Sequence, residues 1–368
     1  MQRLASSILS NRPLSIEKIR ELEEVPGVTN YEVCFAKLVD KLSNGTKLSI
    51  NTTGTAVSMR PGFILGGEFE HECEGRSIGY FIEGILPLCL FAKRPVHITF
   101  TGATNDDIDI CVDTLESVTF QMIKKFGIES APRINVLQRG VGARAKGKVV
   151  FMCPIVRELK AVQLLDPGFV QKVRGVAYAI RVSPQFSNRM ATSTRGVFNQ
   201  LLPDVYINTD HIKNKELSQK SAPGYGISIT ARSTTGCVHG AKRSALGNRK
   251  NETEEIEDTK RRTHPGVTAI LHPETLGENV AFQLLEEISR GGCIDTSHQP
   301  LFFMLMVLCP ENVSKVRIGP LSPYSIEMLR LLKVAFGITF KVAVDTDNDT
   351  ILCSCIGAGY RNLSRKVT

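Results

Sequence analysis

Chemistry in this chain would have to come from a few side chains. Tyr324 stands at the tip of a Gly-Pro-Leu-Ser-Pro loop, residues 319–323, between a short strand at 316–318 and a helix predicted over 324–336. Gly337 stops that helix, and Ile338, Phe340, Val342 and Val344 then alternate as a half-buried strand. A helix start at a loop tip leaves backbone N–H groups unsatisfied, and that geometry suits a phosphate. The side chain on the tip is a phenol, whose ordinary pKa of about 10 makes it a poor nucleophile or base at neutral pH. Tyr324 either faces such a site or is an aromatic packed near the helix cap.

Other groups could meet the same anion. The turn at 139–148 holds Arg139, Arg144, Lys146 and Lys148 among Gly140, Gly142 and Gly147. Glycines let backbone N–H groups approach a phosphate and the cations neutralise it, but a solvated hairpin loop reads the same way. Arg60, followed by Pro61-Gly62 and Gly66-Gly67, could add a guanidinium or could pair with a nearby acid. Arg330 and Lys333 share a helix face with Glu327, as an exposed polar stripe or one that meets RNA. Asp106, Asp107 and Asp109 form the one carboxylate cluster, which suits either a hydrolytic metal site or acids at a helix start. His298 precedes an apolar helix and could catalyse, cap or sit satisfied in the core. No P-loop, nucleotide-binding glycine fingerprint or zinc pattern is present, so no cofactor and no resident metal are expected.

The elements that would position these groups repeat. SSILSNRPLSIEKI and CLFAKRPVHITF both read as helix, basic turn, proline, strand, and 304–318 is a candidate third copy. Helix-then-strand recurrences at intervals of roughly eighty residues or more argue for several copies of one α/β unit. Further helices are predicted over 31–42, 80–92 and 112–126, and strands over 14–19, 134–137, 148–152 and 174–182. From residue 185 the character changes: a helix at 188–201, strands at 205–208 and 226–232, then a charged run. The periodic pattern returns at 274–289. Residues 1–184 and 274–368 therefore read as one large repeat-built domain, with 185–273 as a smaller inserted α/β module, giving an α+β fold.

Composition narrows the partners. The net charge of +8 favours an anionic one. There is no Trp and only 7% aromatic residues, so an RNA partner would be met at its backbone rather than by base stacking. No apolar run reaches the roughly 18 residues of a membrane helix, and no leader is read at the N-terminus, so no membrane association is expected. The ten cysteines form no CxxC pair and read as buried reduced thiols.

Several segments carry a resemblance: QRLASSILSNRPLSIEKIR, the RPG-x-x-x-GG run from Arg60, GYFIEGILPLCLFAKRPVHITFTGATND, RGVAYAIRVSPQFSNRM, SAPGYGISITA and QLLEEISRGGCIDTSHQPL. Across nearly the whole chain they resemble the RNA 3′-terminal phosphate cyclase family, and within it the ribosome-biogenesis branch. The resemblance implies a large domain of repeated units, each with two helices on a four-stranded sheet, and a small inserted domain. True cyclases adenylylate a histidine where this chain has Tyr324. They carry an acid where it has His298, before Gln299. Their Arg-Gly-x-x-Pro-x-Gly-Gly-Gly loop here lacks the proline and two of its three closing glycines.

The resemblance thus implies a catalytically inactive relative acting as an assembly factor in early small-subunit pre-rRNA processing. It would work in the nucleolus, docked on a ribosome-assembly GTPase in a pre-ribosomal particle with pre-rRNA and snoRNP. Arg60, Arg139, Arg144, Lys146, Lys148, Arg330 and Lys333 are the candidate anion or RNA contacts. The alternative is an endonuclease cutting pre-rRNA, for which Asp106, Asp107, Asp109 and His298 are the available groups.

Overall fold

The computed structural model describes residues 1–142, 145–211, 222–246 and 272–362, and shows the expected α+β fold. Helix α1 (Gln2–Ser10) ends where Asn11 turns left-handed, with φ 52°. Strand β1 (Leu14–Ile16) is shorter than the predicted 14–19, because Lys18 and Arg20 adopt positive φ and break the extended run. Helix α2 (Asn30–Leu42) opens on a capping box in which Glu32 takes the Thr29 N–H at 2.8 Å. After β2 (Ser43–Asn44), β3 (Lys47–Ile50), β4 (Val57–Arg60) and β5 (Phe63–Ile64), the first sheet has the antiparallel order β1-β4-β3.

The second unit runs β6 (Gly67–Glu72), α3 (Ile78–Leu90), β7 (Val96–Gly102), α4, β8 (Arg133–Gln138) and β9 (Gly147–Cys153). Helix α4 begins at Val112–Thr114, passes through a π turn at Leu115–Thr119 and continues as Phe120–Lys124. Its sheet is ordered β6-β7-β9-β8, with β6 and β7 parallel and the rest antiparallel.

After β10 (Gln163–Leu164) come β11 (Val170–Ile180), α5 (Gln185–Phe198), β12 (Val205–His211), β13 (Gly224–Ser233), β14 (Val238–Leu246) and α6 (Pro273–Ser289). The chain closes with α7 (Gln299–Val307), β15 (Val313–Ile318), α8 (Pro323–Phe336), β16 (Lys341–Asp345) and β17 (Thr350–Ile356). The last sheet, β10-β15-β17-β16, repeats the second in order and direction, so one β-α-β-α-β-β unit recurs as the third unit, β10 with α7 to β17. The inserted module interrupts this copy between its first strand and first helix.

The predicted module boundaries, 185 and 273, are displaced. Strand β11 pairs with β12 and β13, so it belongs to the inserted sheet β12-β11-β13-β14. Helix α6 buries Leu276, Val280 and Leu284 with Met190, Ala191 and Phe198 of α5. The module thus spans about 170–289. Composition changes only at its first surface helix, whereas the backbone pairing starts a strand earlier.

Helices α3 and α7 are buried at every position. Each is apolar nearly all round and therefore sits inside the core rather than on it. The strand predicted to be half-buried near 338–344 is instead the edge strand β16, where Val342 is 45% and Val344 68% exposed. Ile338 and Phe340 touch the core before the strand begins. No described helix is long and apolar enough to cross a membrane.

Candidate functional site

A cleft of about 1240 Å³ lies beside the start of α8, bounded by α1, β1 and α3. The loop before α8 is braced from α7. Gln299 Nε2 donates to the Pro320 carbonyl at 3.2 Å, and its Oε1 accepts from Ser325 Oγ at 2.8 Å. Ser322 caps the helix by accepting the Ser325 N–H at 3.0 Å. Pro323 has no N–H, so the helix start offers at most the Tyr324 amide. The open phosphate seat expected there is already filled by the cap.

Tyr324 is 43% exposed, and the Glu83 carboxyl of α3 acts on its hydroxyl. Burial of that hydroxyl and the Glu83 carboxyl raise its pKa well above the ordinary phenol value, which makes it a still poorer nucleophile. Glu83 lies deep on the cleft wall, 7% exposed. Burial pushes its carboxyl up to about 7, opposed by His298, Arg76 and Tyr324. Its Oε1 and both amide atoms of Gln2, which also lines the cleft, have no hydrogen-bond partner among the described residues. Arg76, also on the wall, forks onto Asp109 through Nε at 2.9 Å and through Nη2, and stacks 4.6 Å from the Tyr80 ring centre.

The aspartate cluster is committed elsewhere. Asp109 holds Arg76, and Asp106 accepts the Ile108 and Asp109 N–H groups at 3.1 and 2.7 Å and faces Lys242 at 3.6 Å. Asp107 accepts the Ser244 N–H at 2.6 Å. These carboxylates tie the β7–α4 loop to the segment just before α3 and to β14 of the module, which corrects the reading of a hydrolytic metal pair. No group of three or more metal-ligating side chains occurs among the described residues.

His298 is 1% exposed. Its Nδ1 lies 2.5 Å from Asp295 Oδ1 and its Nε2 2.8 Å from Thr119 Oγ1. Hydroxyl, imidazole and carboxylate stand in the line of a nucleophilic triad. Yet Thr119 is 0% and Asp295 2% exposed, and none of the three lines the cleft. Burial works to lower the His298 pKa, but the Asp295 carboxylate outweighs it and raises the value. Asp295 also accepts the Gly240 N–H of β14 at 3.0 Å. His298 therefore joins α7, α4 and the module as a satisfied core residue rather than an acid or base.

Arg139 is likewise not open to an anion. It is 7% exposed. Its Nη atoms donate to Asp113 at 2.8 and 2.7 Å, its Nε donates to Asp210 at 2.7 Å, and its plane lies 5.1 Å from the Tyr178 ring centre. The Gly140 N–H is taken by Thr104 Oγ1 at 3.1 Å. A Cβ on Gly147 would meet the Gly102 carbonyl at 2.7 Å, so glycine there serves close packing. The described part of this loop is a strut between the second unit and the module.

Arg144 lies outside the described residues. Arg60, Lys146, Lys148 and Lys333 are exposed, and Arg330 is exposed with Glu327 at 2.6 Å. Of the described cations among these only Arg330 lines the cleft, so the described ones are not gathered into one site. Sequence reasoning missed Arg76, Glu83, Asp113, Asp210 and Asp295. Glu83 carries a local signal, a lone carboxylate inside the thirteen-residue apolar helix α3.

Residues 1–342 match the family described as RNA 3′-terminal phosphate cyclase. The probable RNA 3′-terminal phosphate cyclase-like protein of Dictyostelium discoideum is 45% identical over 99% of this chain and 96% of its own length. The RNA 3′-terminal phosphate cyclase-like protein of Homo sapiens is 41% identical over 99% of this chain and 95% of its own length. The Schizosaccharomyces pombe protein named rRNA processing protein rcl1 is 36% identical over 99% and 95%. With the repeated sheet units, the inserted module and the braced loop at Tyr324, these matches show that the chain belongs to the RNA 3′-terminal phosphate cyclase family, together with its cyclase-like members.

Proposed function

We propose that this chain serves rRNA processing as a non-catalytic assembly factor in early small-subunit maturation. It acts in the nucleolus, carried by a ribosome-assembly GTPase within a pre-ribosomal particle that holds pre-rRNA and snoRNP. Two things support the reading: the name of the Schizosaccharomyces pombe relative, and Tyr324. Covalent nucleotidyl transfer needs a nucleophile of suitable pKa at the attacking position. The head of α8 instead presents a phenol whose pKa is raised by burial and by the Glu83 carboxyl. RNA is met at its phosphates by the exposed Arg60, Lys146, Lys148, Arg330 and Lys333, with Arg144 from the same loop as Lys146. Such contacts position without reading sequence.

The test uses the purified chain with labelled ATP, magnesium and a pre-rRNA fragment. No AMP adduct and no cut RNA are expected, while the fragment binds in a salt-sensitive way. Reversing the charges of Lys146 and Lys148 should lower the slope of log affinity against log salt by about two. An AMP-bearing side chain on the wild-type protein would overturn the proposal.

A further inference from the structure

All ten cysteines are buried and free, but two meet where the module joins the third unit. Val238, the first residue of β14, forms a parallel bridge with Ile294, just beyond α6. That bridge sets Cys237 beside Cys293, each one position before a bridged residue. Parallel neighbours lie about 4.8 Å apart, within the roughly 4.4–6.8 Å between Cα atoms that a disulfide spans. Each thiol acts on the proton of the other.

Cys237 sits in a polar turn, with its Sγ 3.8 Å from the Asp166 carbonyl. Its N–H donates to Ser233 Oγ at 3.0 Å, and Thr235 Oγ1 lies 3.5 Å from its Sγ. The Lys125 ammonium holds the same turn through the Thr235 carbonyl at 3.2 Å. The contact with Cys293, the hydroxyls and Lys125 together bring the Cys237 pKa down, while the same contact and burial push Cys293 up. The other eight thiols are all pushed up, first of all by burial. Cys237 itself is 3% exposed, while Thr234 and Thr235 of the same turn are exposed.

We propose that Cys237 and Cys293 form a peroxide-oxidisable pair, with Cys237 attacking and Cys293 resolving, and that their disulfide staples the inserted module to the third unit. The Cys237 thiolate attacks one peroxide oxygen, the O–O bond breaks, and the departing hydroxide takes a proton to leave as water. Cys237 is left as a sulfenic acid. The Cys293 sulfur then attacks the Cys237 sulfur, its proton goes to the leaving hydroxyl, and a second water departs as the S–S bond forms. The two thiols lose two electrons and the peroxide gains them. A small thiol reverses the change by exchange.

The experiment treats the purified full chain with stoichiometric hydrogen peroxide, alkylates the remaining thiols in denaturant and maps the peptides by mass spectrometry. The expected result is a Cys237–Cys293 linked peptide that forms before other cysteines oxidise and disappears with dithiothreitol. In Cys293→Ala, a dimedone adduct should accumulate on Cys237. In Cys237→Ala, Cys293 should stay reduced. Oxidation spread over other cysteines without that linked peptide would overturn the proposal, as would Cys293 oxidising equally fast in Cys237→Ala. Should either variant fail to fold, the wild-type peptide map decides alone.

Discussion

Arg139→Ala is expected to lower the unfolding free energy by about 3–5 kcal/mol, the usual cost of removing one partner from a buried ion pair. The loss would come less from missing attraction than from what remains. Asp113, whose carboxyl Arg139 holds below its usual range against burial, would keep the Asn105 amide at 3.0 Å and a backbone N–H but lose both guanidinium bonds. Asp210 is 45% exposed at its side chain and can turn to water, so it adds little. Lysine should recover only part of the stability, because a point charge cannot fork onto Asp113 while reaching Asp210. Arg139→Ala with Asp113→Asn should be more stable than Arg139→Ala alone, since no buried charge is left unpaired. Urea unfolding of the four proteins decides it. A loss below about 1 kcal/mol for Arg139→Ala would mean that the residue is not the clamp between α4 and β12.

Glu83→Gln should stabilise the protein in a pH-dependent way. Burial raises the folded carboxyl to about 7, above its unfolded value. Both states are protonated well below the unfolded value. As pH rises through the window up to about 7, the unfolded chain releases the proton first, so stability falls; above it the full cost is present. Glutamine stays neutral. The advantage of Glu83→Gln should be small at pH 5 and grow to about 3 kcal/mol at pH 8. Other groups shape the absolute profile. His298, raised by Asp295, likewise loses its contribution as pH rises through its folded value. His71, lowered to about 4 by burial and by Lys41 and Lys37, loses its contribution as pH falls below its unfolded value. The difference between variant and wild type is therefore the informative quantity. A difference that does not change with pH would show that Glu83 is not neutral when folded.

The repeat is legible because two copies carry the same punctuation, a helix, a basic turn, a proline and a strand, and the third keeps the helix, proline and strand. The buried helices α3 and α7 are legible from nearly continuous apolar runs. The start of the module is not, because β11 reads as a strand in either domain and only its pairing with β13 assigns it. The role of Arg139 is hidden for a related reason. A glycine-rich turn with cations looks the same whether its guanidinium meets a phosphate or a protein carboxylate. Here the deciding carboxylate, Asp113, lies 26 residues away in sequence. A satisfied core position is one of the roles the sequence allows His298, and Asp295, three positions before it, is the local hint of its partner. Glu83 could be found from its isolation among apolar neighbours, since a buried carboxylate seldom goes unexplained.

The contact between α3 and α7 has a consequence for how the chain is made on the ribosome. Roughly 200 residues separate the two helices, and translation at about 5–20 residues per second takes on the order of 10–40 s to supply them. For that interval the nascent polypeptide carries a helix greasy on every side with its later neighbour still unwritten. Newly synthesised molecules stalled before residue 299 should therefore be clients of holding chaperones, while those released whole should not.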